Sequence, residues 1–212
     1  MSRGEIDRQR DALLVVDIQN DFCPGGALGV RQGDEVIPLV AALFRRFHHV
    51  ILTQDWHPPG HISFASAHAG RKPFDTIALP YGPQTLWPDH CVQGTAGAAF
   101  HPHLTTAAAR LIVRKGIHPE IDSYSTFFEN DRCTPTGLAG ALRELGATRV
   151  FLAGLATDYC VLYSALDARR EGFAATVLLD ACRAIDRDGS LARARQAMAE
   201  AGVVATTSDA IV

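Results

Sequence analysis

Cys160 sits where an apolar run, Val150-Phe-Leu-Ala153, breaks at Gly154 and a helical pattern begins. The first N–H groups of a helix lack an intrahelical acceptor and favour nearby negative charge. A thiol placed there ionises more readily, and the thiolate is the nucleophilic form. Thr157 and Asp158 suit the start of that helix as cap or first-turn residues. The same cysteine also fits a small core residue at a strand–helix junction. Two more residues end apolar runs: Asp17 follows Leu13-Leu-Val-Val16, and Lys115 closes Leu111-Ile-Val-Arg-Lys. A carboxylate at the end of a buried strand is costly unless paired, so Asp17 reads either as a turn cap or as a general base or acid. Lys115 reads either as a solvated side chain leaving the sheet or as a charge that lowers the pKa of the thiol and orders Asp17.

A second group has the chemistry of metal ligands. Asp55 and His57 are two residues apart after the run Val50-Ile-Leu-Thr-Gln54, and in an extended chain such residues share a face. Carboxylate plus imidazole suits zinc, iron or manganese. His90, in Leu86-Trp-Pro-Asp-His-Cys-Val92, is the best candidate for a third ligand, with Cys91 as a softer competitor. His61 follows Pro58-Pro59, which rules out a helical spacing from His57 but lets a short loop bring it close. A carboxylate–His–His set with its other positions open to water suits a catalytic or substrate-binding metal. Phe22 and Trp87 lie beside these polar groups. They read either as core or as the two walls around a flat ring.

The elements that must position these groups follow from hydropathy. Apolar runs suggest strands near Ala12–Ile18, Val50–Gln54, Ala109–Val113, Arg149–Ala153, Ala174–Leu179 and Val203–Thr206. Helical patterns lie near Asp34–Phe47, Thr136–Leu145, Ala156–Glu171 and Asp188–Ala201. Unbroken apolar strands covered on both faces, alternating with helices, indicate an α/β fold. The expectation is one three-layer, doubly wound domain over residues 1–212 with a central, mostly parallel sheet. Ligands of such sheets bind at the carboxyl ends of the strands, where Asp17, Asp55, Lys115 and Cys160 all fall. The segment from Trp56 to about Thr105 is long and rich in Pro, Gly and His, and a connection of that length is usually functional.

Composition narrows the function classes. The chain has 212 residues, 47% hydrophobic and 20% charged, with a formal net charge of −3, and no basic run that would track a nucleic-acid backbone. The N-terminal stretch is polar and leads into a short apolar strand, unlike a signal peptide or a membrane span, so a cytoplasmic enzyme is expected. Five widely spaced cysteines without a C-x-x-C pair indicate free thiols. Six of the nine histidines lie between His57 and His103.

Taken together, five segments in order resemble the nicotinamidase branch of the cysteine-hydrolase (isochorismatase-like) superfamily. They are Val15-Val-Asp17-Ile-Gln-Asn-Asp-Phe22, Thr53-Gln-Asp55-Trp-His57, Trp87-Pro-Asp-His90-Cys-Val-Gln-Gly94-Thr, Lys115-Gly116, and Gly154-Leu-Ala-Thr-Asp158-Tyr-Cys160-Val. The resemblance implies a catalytic triad of Asp17, Lys115 and Cys160. It implies a divalent metal on Asp55, His57 and His90, joined in some members by the histidine matching His61. Zinc is the expected ion, and iron and manganese suit the same donors. It further implies a cis peptide at Leu155-Ala156 that aims the N–H groups of Ala156 and Cys160 into an oxyanion hole, with Phe22 and Trp87 flanking a pyridine ring. Hydrolysis of nicotinamide to nicotinate and ammonia through a cysteine thioester is the implied activity, with pyrazinamide as a related substrate. Neither nucleic acid nor membrane is an expected partner, and a homo-oligomer is left open. The rivals are a metal-independent isochorismatase-type or ureido-type hydrolase, a metal-hydroxide hydrolase, and a non-catalytic metal-binding or redox-sensing module. All share the fold, so the fold alone cannot separate them.

Overall fold

The computed structural model describes residues 5–211. Its centre is a sheet of six parallel strands: β1 (Asp11–Val16), β2 (His49–Asp55), β5 (Leu111–Lys115), β6 (Arg149–Leu155), β7 (Ala174–Arg183) and β8 (Val204–Thr206). They lie in the order β5-β2-β1-β6-β7-β8. All six residues of β1 and all seven of β2 are buried, as the unbroken apolar runs require. Alternation along β1 divides the core. Leu13 and Val15 face α1 (Val36–Leu43), packing with Val36, Ile37, Val40 and Leu43. Ala12, Leu14 and Val16 face the opposite layer, formed by α2 (Leu138–Glu144), α3 (Leu162–Arg170) and α4 (Ser190–Glu200). The expected three-layer α/β architecture is therefore present. The chain turns one way from β1 to β2 and the other way to β6, which puts the switch point of the sheet beside the end of β1.

The expected element boundaries shift for physical reasons. The third apolar run forms β5 over Leu111–Lys115 rather than Ala109–Val113, because the strand buries Val113 and Lys115 on its inner side and leaves Ile112 and Arg114 outside. A buried lysine is invisible to a hydropathy reading. The first helix is shorter than the Asp34–Phe47 pattern: a 3-10 turn at Gly33–Glu35 leads into α1. Pro38 stands in its first turn, where no N–H is needed. The helix expected from Ala156 opens instead with a π-helical turn, Thr157–Val161, before α3. The connection after β2 contains a small antiparallel hairpin, β3 (Thr76–Leu79) with β4 (Gly82–Thr85), which hydropathy did not indicate because most of its residues are at least partly exposed. Among the described residues no helix is long and apolar enough to cross a membrane.

Gly154 is the point on which the site end of β6 turns. The pairing of β6 with β7 shifts register between Leu152 and Gly154, and Gly154 has φ +118°. A Cβ on it would overlap the carbonyl oxygen of Val16 on β1. Only glycine lets the two backbones approach there. Gly154→Ala is expected to cost at least about 2 kcal/mol, since both the conformation and the overlap must be relieved. Urea unfolding measures the loss, and an unchanged midpoint would show that β6 and β1 separate freely.

Candidate active site

Four strand ends bring the sequence-predicted residues together. Asp55 and Lys115 are register partners on β2 and β5, so their side chains leave the sheet on one side. Lys115 is fully buried and runs beneath Asp55 toward β1. Its Nζ lies 2.9 Å from Asp17 Oδ2, and it donates to Asp55 Oδ1, to the Ser123 carbonyl (2.8 Å) and to Cys160 Sγ (3.4 Å). Asp17 turns out of β1 with φ +50°. Thr53 Oγ1 donates to its Oδ1 (2.5 Å) and accepts its backbone N–H (3.2 Å). Asp17 Oδ2 is buried and, among the described residues, has only the ion pair with Lys115. Asp17, Asp55 and Cys160 each present one atom within 4.8 Å of the others.

The electrostatics of the thiol set burial against the lysine. Burial pushes the Cys160 thiol well above its ordinary pKa; Lys115 pulls it down, and Asp17 and Asp55 push it further up. Lys115 thus acts on the thiol in the expected direction, and burial outweighs it. Burial also raises Asp17, against the pull of Lys115. Burial would raise Asp55 too, but Lys115 and then the neighbouring His57 hold it well below the ordinary range. Lys115 itself stays charged: burial disfavours the ammonium, and the two carboxylates outweigh it.

Beside this group Asp55, His57 and His90 converge. Gln19 clamps the main chain of Asp55, accepting its N–H (2.8 Å) and donating to its carbonyl (2.8 Å). His57 Nδ1 bonds the Gly116 carbonyl (3.0 Å) and His90 Nδ1 bonds the Pro88 carbonyl (2.8 Å). A carbonyl only accepts, so each Nδ1 carries the proton and each Nε2 is directed at Asp55. These nitrogens lie 3.5 and 3.7 Å from Asp55 Oδ2, beyond ordinary hydrogen-bond length. The buried Nε2 of His57 has no hydrogen-bond partner among the described residues. Ligands about 2 Å from a tetrahedral zinc stand about 3.3 Å apart, so both the spacing and the orphaned nitrogen fit a divalent cation. Such a cation competes with the proton that Asp55 otherwise draws onto His57, whose pKa rises despite its burial. A Cβ on Gly116 would overlap the His57 ring, which explains a glycine directly after the buried lysine.

His61 lies against His57, ring centroids 4.3 Å apart, but its Nε2 bonds the carbonyls of His118 (2.9 Å) and Ile121 (3.2 Å). Burial and the neighbouring His57 lower its pKa to about 4. Its polar edge is thus engaged with backbone.

Above Cys160 and the histidines a narrow pocket is walled by Phe22, Leu28, Trp87, Tyr124, Tyr159 and Ile185. Phe22 and Trp87, expected as ring walls, both line it. Phe22 meets His90 edge to face at 5.4 Å, and Trp87 meets Tyr159 at 5.0 Å. Tyr159 adjoins Cys160 in sequence and was within reach of a local reading. Tyr124 and Asp122 lie in an irregular segment with no periodicity to mark them, and Gln19 gave no hint of its clamp. The Leu155-Ala156 peptide is cis, and Ala156, extended at φ −93° and ψ 148°, opens the π-helical turn. Thr157 and Asp158 make no side-chain cap. Asp158 instead accepts the N–H groups of Ile185 (3.0 Å) and Asp186 (2.8 Å) and the Ser190 hydroxyl, anchoring the chain after β7.

A model of the isochorismatase domain matches residues 11–210. The chain belongs to the isochorismatase family. Within that family it is 56% identical over 192 residues to a nicotinamidase of Acinetobacter baylyi, covering 91% of this chain and 90% of the relative. A solved nicotinamidase/pyrazinamidase of Acinetobacter baumanii superposes with a TM-score of 0.95 at 52% identity, covering 96% of this chain and 99% of that one. A pyrazinamidase of Pyrococcus horikoshii, solved in complex with zinc, superposes at 0.76 with 38% identity, covering 93% and 99%.

The Lys115 charge cluster has a pH signature. Asp55, held low, adds stability above the ordinary carboxylate pKa that is lost as pH falls through its folded value; Asp17, held high, contributes with the opposite sign. Lys115→Met in metal-stripped protein is expected to cost about 3–5 kcal/mol at pH 8, because two buried carboxylates lose their counter-charge. The cost should shrink toward pH 4 as Asp17 takes up a proton. Urea unfolding at both pH values checks this, and an equal loss at each would contradict the electrostatic account.

Proposed function

We propose that the protein hydrolyses the carboxamide of nicotinamide to nicotinate and ammonia, with Cys160 as nucleophile and related ring carboxamides such as pyrazinamide as further substrates. The observation that carries this reading is the buried contact of Cys160 Sγ with Lys115 Nζ at 3.4 Å, with Asp17 paired to the same ammonium at 2.9 Å. Sequence identity of 56% to a nicotinamidase supports the choice of amide. The pocket is small and walled by aromatic side chains, which suit the faces and edges of a flat ring.

In this scheme Asp17, raised in pKa by burial, accepts the thiol proton on Oδ2 as Cys160 Sγ attacks the amide carbon. A neutral resting thiol suits such a concerted transfer. The negative charge that develops on the amide oxygen is received by the N–H groups of Ala156 and Cys160, each worth about 3 kcal/mol. Asp17 then gives its proton to the departing nitrogen, and ammonia leaves a thioester. Asp17 next takes a proton from water, the water oxygen adds to the thioester carbon, and the C–S bond breaks as Asp17 returns that proton to Sγ. The thiol is restored, and the acid formed leaves as nicotinate after losing its proton to solvent. Lys115 stays protonated throughout and keeps Asp17 beside the sulfur. Phe22 and Trp87 hold the ring.

A divalent metal, zinc foremost, would be held by Asp55, His57 and His90 and would supply a positive centre for the ring nitrogen, directly or through a water. Its donor set and spacing support that assignment. His61 would join only by releasing the His118 and Ile121 carbonyls. The chain's own residues provide the nucleophile, so the metal is assigned to binding and orientation.

Cys160→Ala should release no ammonia from nicotinamide while unfolding at an unchanged midpoint and retaining one equivalent of metal. Substantial turnover by that variant would end the covalent scheme and favour a metal-hydroxide hydrolase. Stripping the metal with a chelator should raise KM for nicotinamide at least about tenfold, and zinc should restore it. Kinetics unchanged after verified stripping would instead favour a metal-independent member of the family.

A further inference from the structure

The β3–β4 hairpin has one fully buried side chain, Gln84, and every polar atom of its amide is engaged. The two N–H groups of Gln84 Nε2 serve three acceptors, Asp122 Oδ2 (2.6 Å) and the Thr85 carbonyl (2.7 Å) closely, and the hydroxyl of Tyr124 (3.2 Å) as the longer branch of a shared N–H. Its Oε1 accepts from the Tyr81 hydroxyl (3.1 Å) and from Asn130 Nδ2 (3.4 Å). The rest of β4 is at least partly exposed, and glutamine is seldom buried without a polar task. What Gln84 reaches is the pocket wall. Tyr124 and Asp122 both line the pocket above Cys160, and the Tyr124 hydroxyl also accepts from Trp87 Nε1 (3.2 Å). A phenol oxygen that accepts twice has spent both lone pairs. Gln84 and Trp87 therefore lock the Tyr124 hydroxyl as an acceptor toward the hairpin and leave its proton as its only remaining polar element.

We infer that Gln84 is a positioning residue for the proposed reaction: it fixes the Tyr124 ring and, through the shared hydroxyl, the edge of Trp87, so that the hairpin sets the width and polarity of the substrate pocket. Gln84 acts through the tyrosine and has no contact with Cys160, Asp17 or Lys115. Its loss loosens the wall that grips the ring and leaves the reacting groups in place. The effect belongs in KM far more than in kcat. The inference rests on the amide-hydrolase reading for its kinetic arm only.

The test is a double-mutant cycle with an optical arm. Gln84→Leu should raise KM for nicotinamide about 5- to 10-fold, the loss of one to two hydrogen bonds, with kcat within about twofold of the parent. In a Tyr124→Phe background the same change should raise KM clearly less than in the parent, because the shared hydroxyl is gone and only the Asp122 contact is left to lose. Additive effects would overturn the inference and make Gln84 a structural residue of the hairpin alone, as would a fall in kcat equal to the rise in KM. Tyr81→Phe removes one bond holding Gln84 Oε1 without changing the packing. It should shift KM about 2- to 3-fold the same way, which keeps the test open if Gln84→Leu folds poorly. The optical arm uses a Trp56→Phe background, which leaves Trp87 as the sole tryptophan. Gln84→Leu should change its emission, and an unchanged spectrum would overturn the proposed link. If the parent protein released no ammonia from nicotinamide, the proposed function would fall while the Trp87 signal still decided the role of Gln84.

Discussion

Burial of one ammonium, Lys115 Nζ, between two carboxylates is the constraint on which the rest of the site depends. Neither the lysine nor Asp17 reaches solvent, and a lone charge at either position would be prohibitively costly. Each is tolerable because the other is there. The parallel register of β5 on β2 sets Lys115 beside Asp55, and β2 on β1 brings Asp17 within reach of the same nitrogen. An edge strand with an otherwise ordinary sequence thus carries the charge that lets two acidic groups and a thiol share one dry space.

That shared ammonium makes the carboxylates unequal. Asp55 collects the lysine, two histidines and the Gln19 clamp on its main chain, so it stays ionised and fixed. Asp17 has the same lysine and Thr53 but nothing on Oδ2 except the ion pair, and its pKa moves the other way. A held anion suits a metal ligand, and a basic, under-solvated one suits a proton carrier. The division of labour comes from neighbours, since both residues are aspartates at strand ends.

The long segment after β2 supplies the other half of the site. It first folds the β3–β4 hairpin, whose Gln84 meets the Asp122–Tyr124 segment, and then delivers Trp87 and His90. The sheet holds the buried charged groups with little freedom to move, while loops and the hairpin shape the space above them. Catalysis on a rigid edge and recognition on irregular chain is the usual distribution in parallel α/β folds.

The chain by itself determined the sheet, the strand ends and most of the buried polar groups that gather there. Unbroken apolar runs are local signals of doubly covered strands, and Asp17, Asp55, Lys115 and Cys160 each interrupt or follow such a run. The two-residue spacing of Asp55 and His57 likewise needed only the strand period. Other features depended on partners distant in sequence. Lys115 pulls the thiol of Cys160 down as expected, yet its net shift is upward, because burial and two carboxylates outweigh the lysine. Asp158 holds the chain after β7 instead of capping its own helix. His61 faces backbone carbonyls, and Gln84, Tyr124 and the hairpin came together with no periodic pattern to announce them. Local pattern determines which residues are buried; the strength and sign of an electrostatic interaction depend on what else is buried beside them, and only the assembled fold decides that.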